Sequence, residues 1–184
     1  MTSRQLWIIC VVQMLLFVMV AVAANNLMLT MPFDVAVLEF VHGYASSAAD
    51  IVMVAMTGGG GAAFVASATL VMITGLMYAG RKRQALQAAV IVGGSAVATI
   101  VVKLFVERVR PELWTRLVTE DSFSFPSGHA TASMALGLTI VLLSWHTRWR
   151  WVAVTISGLY VAMIALTRLY LGVHYPTDII GGWL

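Results

Sequence analysis

Long apolar runs separated by short polar turns dominate the chain. Residues 6–24 carry no charge. A helix rises 1.5 Å per residue, so roughly 20 apolar residues cross the hydrocarbon of a bilayer. Residues 62–79, 85–106, 128–145 and 151–166 repeat the pattern, and another apolar helix is set to start at Pro176. That last stretch reaches Leu184 after little more than two turns. The pattern predicts an all-α, polytopic membrane helix bundle in a single domain, residues 1–184. Six spans are expected at about 6–24, 62–79, 85–106, 128–145, 151–166 and 176–184, the sixth truncated.

The remaining segments refine this picture. Ala21-Val22-Ala23 resembles a signal-peptidase site, but the apolar run is longer than a usual signal core and only Arg4 precedes it, which favours a retained span. Residues 25–50 hold three acids and no Lys or Arg, with Val35, Leu38, Val41 and His42 at helical spacing, so a short interfacial helix fits there. Gly58–Gly61 interrupts the next apolar stretch; it serves either as a helix-packing face or as a close backbone approach to a ligand.

Composition agrees with a membrane protein: 60% of residues are hydrophobic and 10% are charged, against about a quarter charged in soluble domains. The net charge is +3. The basic residues sit in short clusters between spans, so no nucleic-acid partner is expected. The single cysteine, Cys10, excludes an internal disulfide. Arg4, Arg81, Lys82, Arg83, Arg148 and Arg150 fall on one side of the expected bundle and all eight acids on the other. The positive-inside rule then puts the N-terminus in the cytoplasm. Arg108, Arg110 and Arg116 run against that trend, so a purpose is expected for them.

Three segments at the outer ends of spans carry candidate chemistry: Lys103 to Pro111, Pro126-Ser127-Gly128-His129, and Thr167 to Asp178. Lys103 and Arg110 are two helical turns apart and would share a face. With Arg168 they make three cations suited to a phosphate. Pro126 can start a helix, leaving the Ser127 and Gly128 N–H groups open to an anion and His129 in the first turn as a proton donor. The alternative is a plain helix start with an interfacial histidine. His174 and Asp178 are four apart. They are either a nucleophile with its orienting carboxylate, His129 then serving as general acid, or an ordinary structural pair. No metal-ligand spacing occurs, so no metal is expected. Glu107, Glu112, Glu120 and Asp121 read as solvated loop acids.

Taken together, these residues resemble the type 2 phosphatidic acid phosphatase superfamily, whose motifs are Lys-x6-Arg-Pro, Pro-Ser-Gly-His and Ser-Arg-x5-His-x3-Asp. Lys103, Arg110 and Pro111 match the first, Pro126–His129 the second, and Arg168, His174 and Asp178 the third, with Thr167 replacing its serine. The resemblance implies a metal- and cofactor-independent phosphatase. In it His174 forms a phosphohistidine, Asp178 orients it, and His129 protonates the leaving group and later activates water. Lys103, Arg110, Arg168, Ser127 and Gly128 would hold the phosphoryl oxygens. Family members complete the sixth span, so the natural chain is expected to continue past Leu184 or to have been shortened. The implied setting is the bacterial plasma membrane, with the site on the outer face and a membrane lipid phosphate as partner. Undecaprenyl pyrophosphate is the favoured substrate. Phosphatidylglycerophosphate or phosphatidic acid, a lipid phosphotransferase, and a non-catalytic transporter or scaffold are the alternatives. Oligomeric state is not legible.

Overall fold

A computed structural model describes residues 3–184, and among these no strand occurs. Eight α-helices follow in order: α1 (Ser3–Asn25), α2 (Leu27–His42), α3 (Ser47–Thr57), α4 (Ala62–Tyr78), α5 (Lys82–Val106), α6 (Gly128–Ser144), α7 (Arg150–Tyr170) and α8 (Pro176–Trp183). The fold is all-α, and α1, α5 and α7 are each long and apolar enough to cross a membrane. The 17-residue helices α4 and α6 are apolar but shorter, about 26 Å each. In place of one short interfacial helix, the chain between α1 and α4 forms two helices, α2 and α3, bent by 118° where they meet.

Local chemistry explains the breaks. Ser46 accepts a hydrogen bond from the Ala49 N–H and caps α3. Gly80, at φ 72°, turns the chain between α4 and α5. α5 stops at Val106 because Glu107 takes a left-handed conformation, φ 49°, and the residue before Pro111 is disfavoured as helix. Arg110 therefore lies beyond the helix, and the expected shared face with Lys103 does not form.

α6 is central. Val65, Val92, Ala135 and Leu136 make a buried cluster between α4, α5 and α6, and Ala130, Ala165 and Ile179 join α6 to α7 and α8. Gly137 permits the close α6–α7 approach, because a Cβ there would lie 3.2 Å from the Ser157 Cβ. α1 sits at the edge, touching the bundle through Phe17 against Phe125 and through Gln13, whose amide donates to the Leu184 carbonyl. Outward faces stay apolar, as Leu86, Val90, Val97 and Leu104 of α5 show; such a band suits lipid rather than water. Trp145, Trp149 and Trp151 gather at the α6–α7 turn, with Arg148 and Arg150 stacked on two of them, the arrangement of an interfacial anchor.

Candidate active site

At the opposite end from that turn, the three candidate segments converge. His174 is in the bend between α7 and α8, 1% exposed. The bend is made by Gly172 at φ 63°, which lies against the Trp114 ring so closely that a Cβ would sit 2.7 Å from it. Trp114 in turn stacks on His42 of α2, 3.9 Å between ring centres. His174 precedes α8 rather than belonging to it, so its pairing with Asp178 is not the one-turn helical contact the spacing implied. Asp178 is the third residue of α8, and its side chain reaches back toward the helix start. There Oδ2 accepts the Tyr175 N–H at 2.8 Å and the Ser124 hydroxyl, and lies 3.5 Å from His174 Nδ1.

The other ring nitrogen, Nε2, is 3.0 Å from Arg110 Nη1. A guanidinium can only donate, so Nε2 presents its lone pair and Nδ1 carries the proton, directed at Asp178. Burial, reinforced by the positive charges of Arg110 and Arg168, pushes the His174 pKa down to about 3 despite Asp178. The ring is neutral at neutral pH, with its Nε2 lone pair accepting from Arg110.

Those cations are firmly anchored. Arg110 donates to the Ser122 carbonyl at 2.7 Å and the Val173 carbonyl at 2.8 Å. Arg168, 1% exposed, donates to Thr57 Oγ1 at 2.7 Å and to Glu120. Its Nε is buried and has no partner among the described residues. Lys103 bonds the Phe123 carbonyl and, at 3.3 Å, the Ser122 hydroxyl. Lys103 and Arg110 thus meet at the Ser122–Phe123 segment, not along a helix.

Ser127–His129 supply the start of α6; Pro126 lies before the N-cap and does not open the helix as expected. Ser127 is its N-cap, with Oγ accepting from the Ala130 N–H. The expectation of an open Ser127 N–H is wrong: that group donates to the Asp178 carbonyl at 3.0 Å and ties α6 to α8. The Gly128 N–H has no acceptor among the described residues. His129, partly exposed, is within electrostatic range of Arg168, Glu120, Arg110 and Lys103. It packs on the glycine run, where a Gly60 Cβ would fall 3.2 Å from the His129 ring and would clash with Ile164. The glycines are therefore a packing surface under the histidine. Next to His129 an apolar cavity of about 600 Å³ runs down between α4, α5 and α6.

Sequence reasoning missed two features. Glu120 is not solvated; it is paired with both Arg168 and Arg110. Burial works to raise its pKa, but the two arginines outweigh it and hold the carboxyl below its ordinary value. Glu107, Glu112 and Asp121 are exposed. The second feature is a buried ionic network. Arg108 joins Asp34 Oδ2 at 2.7 Å to Asp178 Oδ1 at 2.6 Å, and Asp34 also accepts the Thr177 N–H and hydroxyl. The anomalous charge of Arg108 was the available signal, and Asp34 gave none. Arg116, the third anomalous cation, ties the loop to the Pro111 carbonyl and to Glu112. No group of three His, Cys, Asp or Glu among the described residues could hold a metal ion.

A sequence model described as the PAP2 superfamily matches residues 84–184, which include Lys103, Arg110, Glu120, Ser127, Gly128, His129, Arg168, His174 and Asp178, while Asp34, His42, Thr57 and Gly60 lie outside it. The chain belongs to the PAP2 superfamily. Its apolar helices make it an integral membrane member. Phosphatidylglycerophosphatase B of Bacillus subtilis is 29% identical over 140 residues, 72% of this chain and 67% of that protein. Decaprenylphosphoryl-5-phosphoribose phosphatase of Mycolicibacterium smegmatis is 41% identical over 88 residues, 46% of this chain and 44% of that protein, so the chain spans less than half of this second relative. The crystal structure of a transmembrane PAP2 type phosphatidylglycerolphosphate phosphatase from Bacillus subtilis superimposes with a TM-score of 0.84 at 26% identity, covering 94% of this chain and 88% of that one.

Proposed function

We propose that the protein removes the terminal phosphate from a membrane lipid phosphate or diphosphate through a phosphohistidine on His174. The observation that carries this reading is the orientation of the His174 ring, with Nδ1 toward Asp178 and Nε2 toward Arg110. In the first step the Nε2 lone pair attacks phosphorus, the bond from phosphorus to the lipid oxygen breaks, and His129 gives that oxygen a proton. In the second, His129 takes a proton from water as the water oxygen attacks phosphorus, and the bond to Nε2 breaks to release inorganic phosphate. Asp178 steadies the imidazolium character that develops at Nδ1–H. Arg110, Arg168 and Lys103, with the Gly128 N–H, neutralise the equatorial oxygens from fixed positions, which is where most of the rate acceleration arises. Ser127 contributes as the cap that positions α6. No metal or organic cofactor takes part.

The substrate is lipid-borne. The apolar cavity that begins at His129 is continuous with the bilayer-facing helices and suits one hydrocarbon chain. Undecaprenyl pyrophosphate, with a single polyprenyl tail, is the substrate this reading favours, and the resemblance to a polyprenyl-linked phosphoribose phosphatase supports it. Phosphatidylglycerophosphate is the second reading, supported by the similarity to phosphatidylglycerophosphatase B. The site faces outward, with Arg81–Arg83 and Arg148–Arg150 at the cytoplasmic end. The test is phosphate release in detergent from undecaprenyl pyrophosphate, phosphatidylglycerophosphate and phosphatidic acid, with EDTA present. Release by the parent and none by His174→Ala supports the mechanism, and the substrate with the highest kcat/KM identifies the head group. Loss of activity on adding EDTA, or retained activity in His174→Ala, overturns it.

A further inference from the structure

The carboxylate of Glu120 bridges two of the cations to which the proposed function assigns a phosphoryl group. It pairs with Arg168 through one oxygen and with Arg110, at 3.5 Å, through the other. A carboxylate and a phosphate offer arginine the same pair of acceptor oxygens. The partners differ in how they are held. Arg168 and Arg110 side chains are 1% and 5% exposed and are fixed by Thr57, Val173 and Ser122. Glu120 is 21% exposed, sits in the irregular stretch between α5 and α6, and among the described residues its side chain makes no hydrogen bond besides those to the two arginines. Taking Glu120 away would leave the arginines anchored.

We propose that Glu120 is the resident anion of this cradle, displaced by the substrate's phosphoryl group and returning to expel inorganic phosphate, so that the cradle accepts a lipid-borne phosphate and rejects a free one. The inference rests on the proposed function. A phosphate attached to a lipid brings the burial of its tail along the cavity at His129, and that apolar burial offsets the loss of the Glu120 ion pairs. Inorganic phosphate brings no tail and must displace Glu120 with its own charge alone. After the second chemical step the tail has already separated, and repulsion between phosphate and the nearby carboxylate favours release. Glu120 is thus a specificity-determining residue that neither attacks nor protonates anything. A purely structural Glu120 would orient the arginines, and its removal would weaken anion binding. A resident anion has the opposite effect, so the sign of the change separates the two roles.

The experiment is equilibrium binding of radiolabelled inorganic phosphate to the purified protein in detergent, which reads the cradle without requiring turnover. Glu120→Gln is expected to lower the Kd roughly ten- to hundred-fold, the range for removing a hydrogen-bonded charged competitor. Glu120→Ala should shift it in the same direction, and Glu120→Asp, which keeps the charge, should stay near the parent. In activity assays Glu120→Gln should lower KM for a short-chain phosphate ester more than for a long-chain one. An unchanged or raised Kd in both Glu120→Gln and Glu120→Ala overturns the inference. Arg168→Gln in the otherwise unchanged protein separates that failure from a failure of the proposed function: if it weakens phosphate binding, the cradle holds phosphate and only the inference on Glu120 falls; if it leaves phosphate binding unchanged, the underlying reading falls as well.

Discussion

Replacing Asp34 with Asn isolates the buried network that supports the active site from a helix that takes no part in the chemistry. Asp34 is fully buried and accepts from Arg108 Nη2 at 2.7 Å, Thr177 Oγ1 at 2.7 Å and the Thr177 N–H at 3.1 Å. Asn keeps one acceptor oxygen but turns an NH2 toward donors, so at least one charge-assisted bond is lost. Removing one side of a buried ion pair costs about 3–5 kcal/mol. Arg108 retains Asp178 at 2.6 Å, so the lower end, about 3 kcal/mol, applies here. For a chain of this size that corresponds to a fall in Tm of about 6–12 °C, measured by thermal unfolding in detergent. The Thr177 N–H also loses its charged acceptor, and Thr177 immediately precedes Asp178. A shift of that strand of contacts misaims His174, and kcat should fall roughly ten- to hundred-fold at a temperature where the variant is folded. In a double-mutant cycle with Arg108→Met, the two changes should be strongly non-additive. An Asp34→Asn variant with the parent's Tm and kcat would refute the supporting role of the network.

Other expectations concern single groups. His174 is neutral when folded down to about pH 3, whereas in the unfolded chain it protonates near 6.5. The unfolded state therefore binds the extra proton between these values, and stability falls as pH drops through that window by about 1.4 kcal/mol per unit from this group. His174→Gln should show a flatter dependence of Tm on pH between 4 and 6.5, and an unchanged slope contradicts the burial argument. Arg168→Lys keeps the charge but loses the fork that binds Thr57 and Glu120 together, and should lower kcat/KM roughly hundred-fold, read with the lipid substrate. Gly172→Ala meets both a positive φ and the Trp114 ring. It should cost about 1–3 kcal/mol and reduce activity by disturbing the bend that carries His174; a parent-like melting curve and rate would count against that geometry.

Much of the site was legible because its residues carry motifs in order. Lys103, Arg110, His129, Arg168, His174 and Asp178 were all named from spacing and residue type, and an apolar period sufficed for an all-α membrane fold. The geometry behind those names was less accessible. Spacing alone put Lys103 and Arg110 on one helix face, yet Glu107 and Pro111 end the helix between them, and the two meet through the Ser122–Phe123 segment instead. The four-residue interval from His174 to Asp178 implied a helical pair, whereas the contact comes from a side chain folding back over a helix start. Ser127 looked like an anion donor because a helix N-terminus leaves N–H groups free, and only the approach of α8 consumes that donor. Glu120 and Asp34 were missed for different reasons: Glu120 lies in a polar loop, where a lone acid has the same local signature whether it is solvated or paired, and Asp34 lies in the apolar helix α2 with its partners Arg108 and Thr177 far along the chain. The break between α2 and α3 is marked locally by the Ser46 cap, but its 118° angle goes with long-range packing, of α2 on α7 and α8 and of α3 on α7, which local sequence does not show.

Whether His174 becomes phosphorylated is the direct test of the account. The protein would be mixed with a lipid substrate labelled with 32P in its terminal phosphate, quenched in alkaline detergent within the first turnovers, digested, and its peptides mapped by mass spectrometry. The account predicts label on His174, stable to alkali and labile to acid, and absent from His174→Ala. Label on another residue, or none on His174 while the same preparation releases phosphate at its normal rate, would contradict it.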